Sequence, residues 1–303
     1  MMEQEMSTLW KTEIEKTLTQ LQPLRDQLNP VPFSSPLWEE YRGAYGDVRE
    51  DVAFLFCPKE ILPEMEKIIR LDFEDKVDDT INLDNLCENL SHQMSFYDAT
   101  YLAMPYLALL FELKKQQQDF EGQYLLICQA GMIFATDLPC DNGKGSASLP
   151  PEIQTSYQQS KTLFQKMTQE FLEQNMEQLK QKESGDLQFF CTSLLAILKD
   201  PQAAYQLVVG SWEQVCVECP SCEYYDEDME IEGFYNPEIV KERVAPVGQD
   251  LQEPNKSTYQ WLCDLFDAFG IEDAWKLPYY YGTYTCPECG EQGILMDWMK
   301  NNI

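Results

Sequence analysis

Apolar residues step along the first two-thirds of this chain at intervals of three and four, a spacing that predicts helices rather than half-buried strands. From Glu5 to about Leu28, the side chains Leu9, Ile14, Leu18 and Leu21 fall at helical spacing, and the following NPVPFSSP cannot continue the helix. LWEEYRGAYGDVREDVAFLF predicts a second helix from Leu37 to Phe56. An acidic stretch, LDFEDKVDDTINLDN, separates it from a helix expected at about Asp84 to Gln93. Ser95 and Asp98 then have the Ser-x-x-acid form of a capping box that opens another helix. Ala99, Ala103, Tyr106, Leu110 and Leu113 form a stripe on that helix, and Pro105 is expected to kink it near Tyr101. Further helices are predicted at about 123–136, 151–182, 186–199 and 201–216, with Asp137 to Pro150 as an exposed connection.

Helical hairpins that each leave an apolar face to cover predict a mainly α fold, an α-solenoid of stacked pairs, although no fixed-period repeat is present. LCENLSHQMSFYDATYLAMPYLALLFEL resembles the helix-turn-helix signature of bacterial HEAT-like repeat proteins through His92, Gln93, Tyr97, Ala99, Thr100, Tyr101, Ala103, Pro105 and Leu107. That resemblance implies a HEAT-like helical domain, taken here as residues 1–212. Some proteins of the group are associated with toxin-neutralising or immunity gene clusters.

The pattern changes toward the C-terminus, where CPSC begins at Cys219 and CPEC at Cys286 with 63 residues between the two pairs. Each CxxC turn wraps two thiolates around one ion, so Cys219, Cys222, Cys286 and Cys289 form a candidate tetrahedral, all-sulfur zinc shell. Gly290 follows the last cysteine as tight knuckle turns require, whereas Glu223 stands at the matching place in the first. Cys216 makes a second CxxC with Cys219 and is an alternative ligand at the expected end of the preceding helix. The chain between the pairs contains a strand-like YYDEDMEIEGFY, a helix at about Ser257 to Gly270 and an aromatic β-type segment, PYYYGTYT. Residues 213–303 therefore read as a small α+β module. It resembles the zinc-ribbon-like tails of the same group through Tyr281, Gly282, Thr285, Cys286, Cys289 and Gly290. Four thiolates leave no open position for water, so the zinc is expected to be structural.

Charge narrows the function further. With 52 acidic and 22 basic residues the net charge is −30, which repels phosphate backbones and anionic lipid, so no direct nucleic-acid or membrane partner is expected. The field favours a basic protein partner. Candidate contact residues are Asp72, Glu74, Asp75, Asp78 and Asp79 in one run, and Asp226, Glu227, Asp228, Glu230 and Glu232 in another; a merely solvated face is the plainer account of both. Residues 213–303 alone carry −14. The acidic N-terminus lacks a signal-peptide pattern, and 11 scattered cysteines suit reduced thiols, so a cytoplasmic location is expected. The single histidine, His92, and the absence of phosphate-loop, nucleophile-elbow and HExxH patterns leave no catalytic constellation. The leading expectation is a non-enzymatic binding scaffold, of immunity type against a basic partner such as a toxin. The alternative is a carboxylate-dependent hydrolase with a helical cleft and a structural zinc.

Overall fold

The computed structural model describes residues 2–58, 79–137, 149–209, 215–248 and 251–299. It is mainly helical with a small three-stranded sheet. Two compact units emerge, residues 1–133 with 139–171, and residues 134–138 with 172–303.

In the first unit, helices α1 (Met2–Gln20) and α2 (Gln22–Leu28) replace the single helix expected, because Pro23 sits in the first turn of α2 and cannot donate back across the join. The long helix expected from Leu37 to Phe56 is likewise two short ones, α3 (Leu37–Glu40) and α4 (Arg49–Phe54). The interruption lies at Gly43 and Gly46, which bridge to each other. A side chain at Gly43 would overlap Asn89, and Gly46 has φ +125°, so the backbone here needs glycine.

Helix α5 (Asp79–Ser91) precedes a 3₁₀ turn at His92–Met94, and α6 (Thr100–Gln116) follows. The capping box expected at Ser95 and Asp98 is absent. The chain turns through left-handed Gln93 and Met94, and α6 starts at an Ala99 cap whose first N–H groups bond the carbonyls of Tyr97, Asp98 and Ala99. Pro105 falls in the second turn of α6, and the helix runs on through it to Gln116.

Almost every residue of α6 from Thr100 to Leu113 is buried, the pattern of a helix covered on all sides. Phe33 stacks on Tyr106 at 4.4 Å, and the Tyr106 hydroxyl donates to the Val31 carbonyl at 2.9 Å. On another side, α8 (Pro151–Leu179) sets Tyr157 against Tyr101 and Phe164 against Phe111, both edge-on at 5.0 Å. Each such fully buried aromatic contributes about 1.5–3 kcal/mol through burial alone. Helix α7 (Phe120–Thr136) precedes α8, and 138–148 of the expected exposed connection lie outside the described residues.

The second unit contains α9 (Ser184–Leu198) and α10 (Pro201–Val209), joined through Asp200, whose carboxylate accepts from the Ala203 N–H and from the Thr258 hydroxyl. Thr258 belongs to α13 (Asn255–Phe269), which packs on α9 with Phe190 edge-on to Phe269 at 6.3 Å. These contacts place α9 and α10 in one compact unit with the cysteine-bearing residues.

Between the cysteine pairs, YYDEDMEIEGFY is not a strand. It forms α11 (Glu227–Ile231) and a 3₁₀ turn at Gly233–Tyr235, followed by α12 (Pro237–Arg243). Strands β1 (Val244–Ala245), β2 (Thr283–Thr285) and β3 (Gln292–Ile294) make an antiparallel sheet in that order. Helix α14 (Leu277–Tyr280) enters β2, so PYYYGTYT is half helix and half strand, and α15 (Leu295–Trp298) leaves β3.

Gly282 holds the helix-to-strand turn against β1, since a Cβ there would lie 2.3 Å from the Ala245 carbonyl oxygen and 2.9 Å from that of Pro278. Backbone cannot yield as a flexible side chain can. Gly282→Ala is expected to destabilise the protein by roughly 1–3 kcal/mol in urea denaturation. Gly185→Ala, in open space on α9, should be neutral or slightly stabilising. A Gly282→Ala change no larger than that of Gly185→Ala would show that the turn has room to spare.

Candidate metal centre

Each cysteine pair sits at the tip of a hairpin. Glu218 bridges to Tyr225 below the first pair, and the β2–β3 register of Thr285 with Gln292 lies below the second. The two knuckles close with the same hydrogen bonds. In the first, the Cys219 N–H donates to the Tyr224 carbonyl at 2.9 Å and the Glu223 N–H to the Cys219 carbonyl at 2.9 Å. In the second, Cys286 donates to Glu291 at 2.8 Å and Gly290 to Cys286 at 2.9 Å. Gly290 has φ +75°, and Glu223 adopts the same left-handed backbone at φ +59°. Only glycine enters that region without steric cost.

The four Sγ atoms lie within 4.8 Å of one another, with Cys219 to Cys289 and Cys222 to Cys286 both at 3.7 Å. A tetrahedral shell with metal–sulfur bonds of about 2.3 Å has edges of about 3.8 Å, so these sulfurs can hold one metal ion with little movement. Cys219 and Cys286 are buried, while Cys222 and Cys289 face solvent.

The thiols are prepared unequally for ionisation. Burial opposes a Cys219 thiolate, but the N–H groups of Cys222 and Ser221 point at its sulfur and bring it down to about 7. At Cys222 the Tyr224 N–H pulls the same way, yet desolvation and the three neighbouring thiols push it up to about 12. Adjacent sulfurs thus resist accumulating negative charge, and a bound cation is what would let all four ionise.

Cys216 is not in the cluster. The helix expected over 201–216 is described as α10 (Pro201–Val209), residues 210–214 lie outside the described residues, and Cys216 is non-helical, between Val215, which donates to Met229, and Val217, which bridges to Met299.

Asp226 is a correction to the acidic contact surface. Its side chain is fully buried, where it caps α11 by accepting from the Met229 N–H at 3.2 Å and accepts the Tyr284 hydroxyl at 2.7 Å. Arg243 lies 3.5 Å away. Burial and this carboxylate push the Tyr284 phenol upward, which keeps it a donor. Asp226 therefore ties the chain leaving the first knuckle to the strand entering the second. Of its expected companions, Glu227, Asp228 and Glu232 are exposed and Glu230 is half-buried, and Asp228 pairs with Arg243 at 3.2 Å. In the other acidic run, Asp72, Glu74, Asp75 and Asp78 lie outside the described residues, and Asp79 opens α5.

His92 is hydrogen-bonded to Glu88 and, at 2.9 Å, to the exposed Tyr45 hydroxyl. Cys87 is buried, which pushes its thiol up and keeps it protonated. Asp51 escaped the sequence reading. Burial, with Glu50 and Asp47 nearby, lifts its carboxyl to about 6 against a hydrogen bond from Asn89. Its only sequence signal is the acidic spacing of DVRED, which is equally that of a helix first turn.

No helix among the described residues is long and apolar enough to cross a membrane. No protein-family model, curated protein or solved structure matches this chain, so the likeness to HEAT-like repeats and zinc-ribbon tails has no support from these comparisons.

The knuckle asymmetry gives a test. Glu223→Gly should stabilise the metal-loaded protein by about 0.5–1 kcal/mol and Gly290→Ala should destabilise it by a similar amount, measured by denaturation, because one removes and the other creates a left-handed Cβ. Glu223→Ala controls for the lost charge. Equal behaviour of Glu223→Gly and Glu223→Ala would assign the effect to charge and not to backbone.

Proposed function

We propose that the four-cysteine centre holds one structural zinc ion, and that the protein is a non-enzymatic scaffold that binds a basic protein partner. In its fullest form this is immunity-type inhibition of a cationic toxin in the cytoplasm, with HEAT-like stacked helices supplying surface. The observation that carries the reading is the sulfur cluster, in which two 3.7 Å edges suit a closed thiolate tetrahedron. Zinc so held has no site for a water nucleophile and serves to fix its surroundings. The net charge of −30 supports the choice of partner, since it speeds encounter with cations and opposes nucleic acid. A second reading, a carboxylate-dependent hydrolase, draws on Asp51, whose carboxyl near 6 is of the kind that can exchange protons near neutrality.

Purified protein is expected to contain about one zinc per chain by elemental analysis, with Cys222→Ser losing it and Cys216→Ser keeping it. Retention in Cys222→Ser, or equal loss in both, would overturn the ligand set. For the scaffold, the on-rate with a captured basic protein should fall as salt rises from about 0.01 to 0.15 M and the Debye length shrinks from about 30 to 8 Å, while dissociation changes less. Reversal of Glu227 and Glu232 to Lys should slow association further. Asp226 is left intact, since its reversal would disrupt the module itself. A salt-independent on-rate sinks the steering mechanism.

A further inference from the structure

Four large apolar side chains stand exposed among the described residues, and two of them, Ile231 at 65% and Tyr235 at 61%, are four positions apart beside the metal module. Their setting is built by the fold. Asp226 caps α11 from below, and Met229 and Phe234 turn into the core, Phe234 stacking on Tyr280 at 4.4 Å. What remains outward on α11 and its cap is Asp228, Ile231 and Glu232, spaced i, i+3 and i+4 on one helical face, with Glu227 beside them and Tyr235 on the following 3₁₀ turn. Glu227 and Glu232 make no ion pair among the described residues, and the Glu232 carboxylate accepts from the neutral Asn236 amide at 2.6 Å. The surface thus offers an aliphatic and an aromatic group within a rim of carboxylates, of which Asp228 is paired with Arg243 at 3.2 Å. Residues 223–243 hold eight acidic and two basic residues.

We propose that this face, Ile231 and Tyr235 rimmed by Glu227, Asp228 and Glu232, is the docking surface for a cationic segment of another protein, one that carries an apolar anchor flanked by Lys or Arg. The inference deepens the scaffold reading and rests on it. Charge complementarity selects the occupant. A second copy would bring like-charged rims together in a chain of net charge −30, and an anionic membrane would be repelled in the same way. A purely polar cationic chain would leave Ile231 and Tyr235 uncovered, whereas an anchored one desolvates them and encloses the ion pairs, the arrangement in which few residues carry most of an interface's energy.

The test uses the full chain, loaded with zinc, and three labelled synthetic peptides followed by fluorescence anisotropy: Lys and Leu at amphipathic helical spacing, the same with Ser for Leu, and the same with Glu for Lys. The Lys/Leu peptide should bind most tightly. Ile231→Ser with Tyr235→Ser should weaken it about tenfold or more, and Glu227→Gln with Glu232→Gln should weaken it and flatten its salt dependence. Removing the same charge elsewhere, with Glu177→Gln and Glu272→Gln, should change little. If the cationic peptides bind with strong salt dependence but the Ile231 and Tyr235 substitutions leave affinity within about twofold, the docking face is overturned while the acidic scaffold stands. Binding of neither cationic peptide overturns both. Self-association that disappears in the Ile231→Ser, Tyr235→Ser variant would assign the face to a second copy and overturn the proposal.

Discussion

Four sulfurs from two hairpins, 63 residues apart in the chain, meet within 4.8 Å, and the second unit depends on what holds them there. Its strands are two or three residues long, and its helices between the knuckles, α13 apart, have four to seven. None of these could persist alone, since a short helix does not repay its nucleation and a hairpin this small is marginal in water. Thiolates packed so closely would also repel one another. A cation at the centre would remove that repulsion and close a long loop at one stroke. The sulfur cluster is therefore the constraint from which the sheet register and the path of the chain around it follow.

Asp226 carries the constraint outward. It lies four residues beyond Cys222 and meets Tyr284, two residues before Cys286, so one buried carboxylate spans both knuckle stems. An uncompensated buried charge would be costly, but here the Met229 N–H, the Tyr284 hydroxyl and the nearby Arg243 guanidinium satisfy it. Its neighbours Glu227 and Asp228 belong to the same acidic run and play the opposite part, exposed in the first turn of α11 where the helix dipole favours them. A single stretch of negative sequence thus divides between interior tie and surface charge.

That division was not legible beforehand, because composition counts charges without saying which way they point. The paired cysteines were legible, since ligand spacing is local and chemical, and so were the longer helices, whose periodicity runs over four turns or more. Elements shorter than two turns were misread. The stretch 224–235 looked like a strand from its alternating Met229, Ile231 and aromatics, although Asp226 followed by acidic residues is also a helix N-terminal signal, and that signal won. The helix expected from Leu37 to Phe56 failed because Gly43 is held close to Asn89, a contact with a residue far away in sequence. Likewise Ser95 and Asp98 had the letters of a capping box, but left-handed Gln93 and Met94 moved the helix start beyond their reach.

Rigidity links the centre to the surface. Helix α11 has five residues and no core of its own beyond Met229, so its direction is set by the Asp226 cap at its start and by Phe234, stacked on Tyr280, just past its end. Both anchors belong to the framework that the knuckles close. Ile231, on the outer face of the same turn that buries Met229, inherits its position from them, as does Tyr235 next to Phe234. A side chain exposed on a fixed backbone gives up less freedom when a partner covers it than one on a wandering loop, so order imposed at the sulfurs would favour affinity at the proposed face. A structural metal bound at the sulfurs would then matter to the proposed face without doing chemistry, because it would decide whether these apolar groups and carboxylates stand together or disperse along an acidic segment.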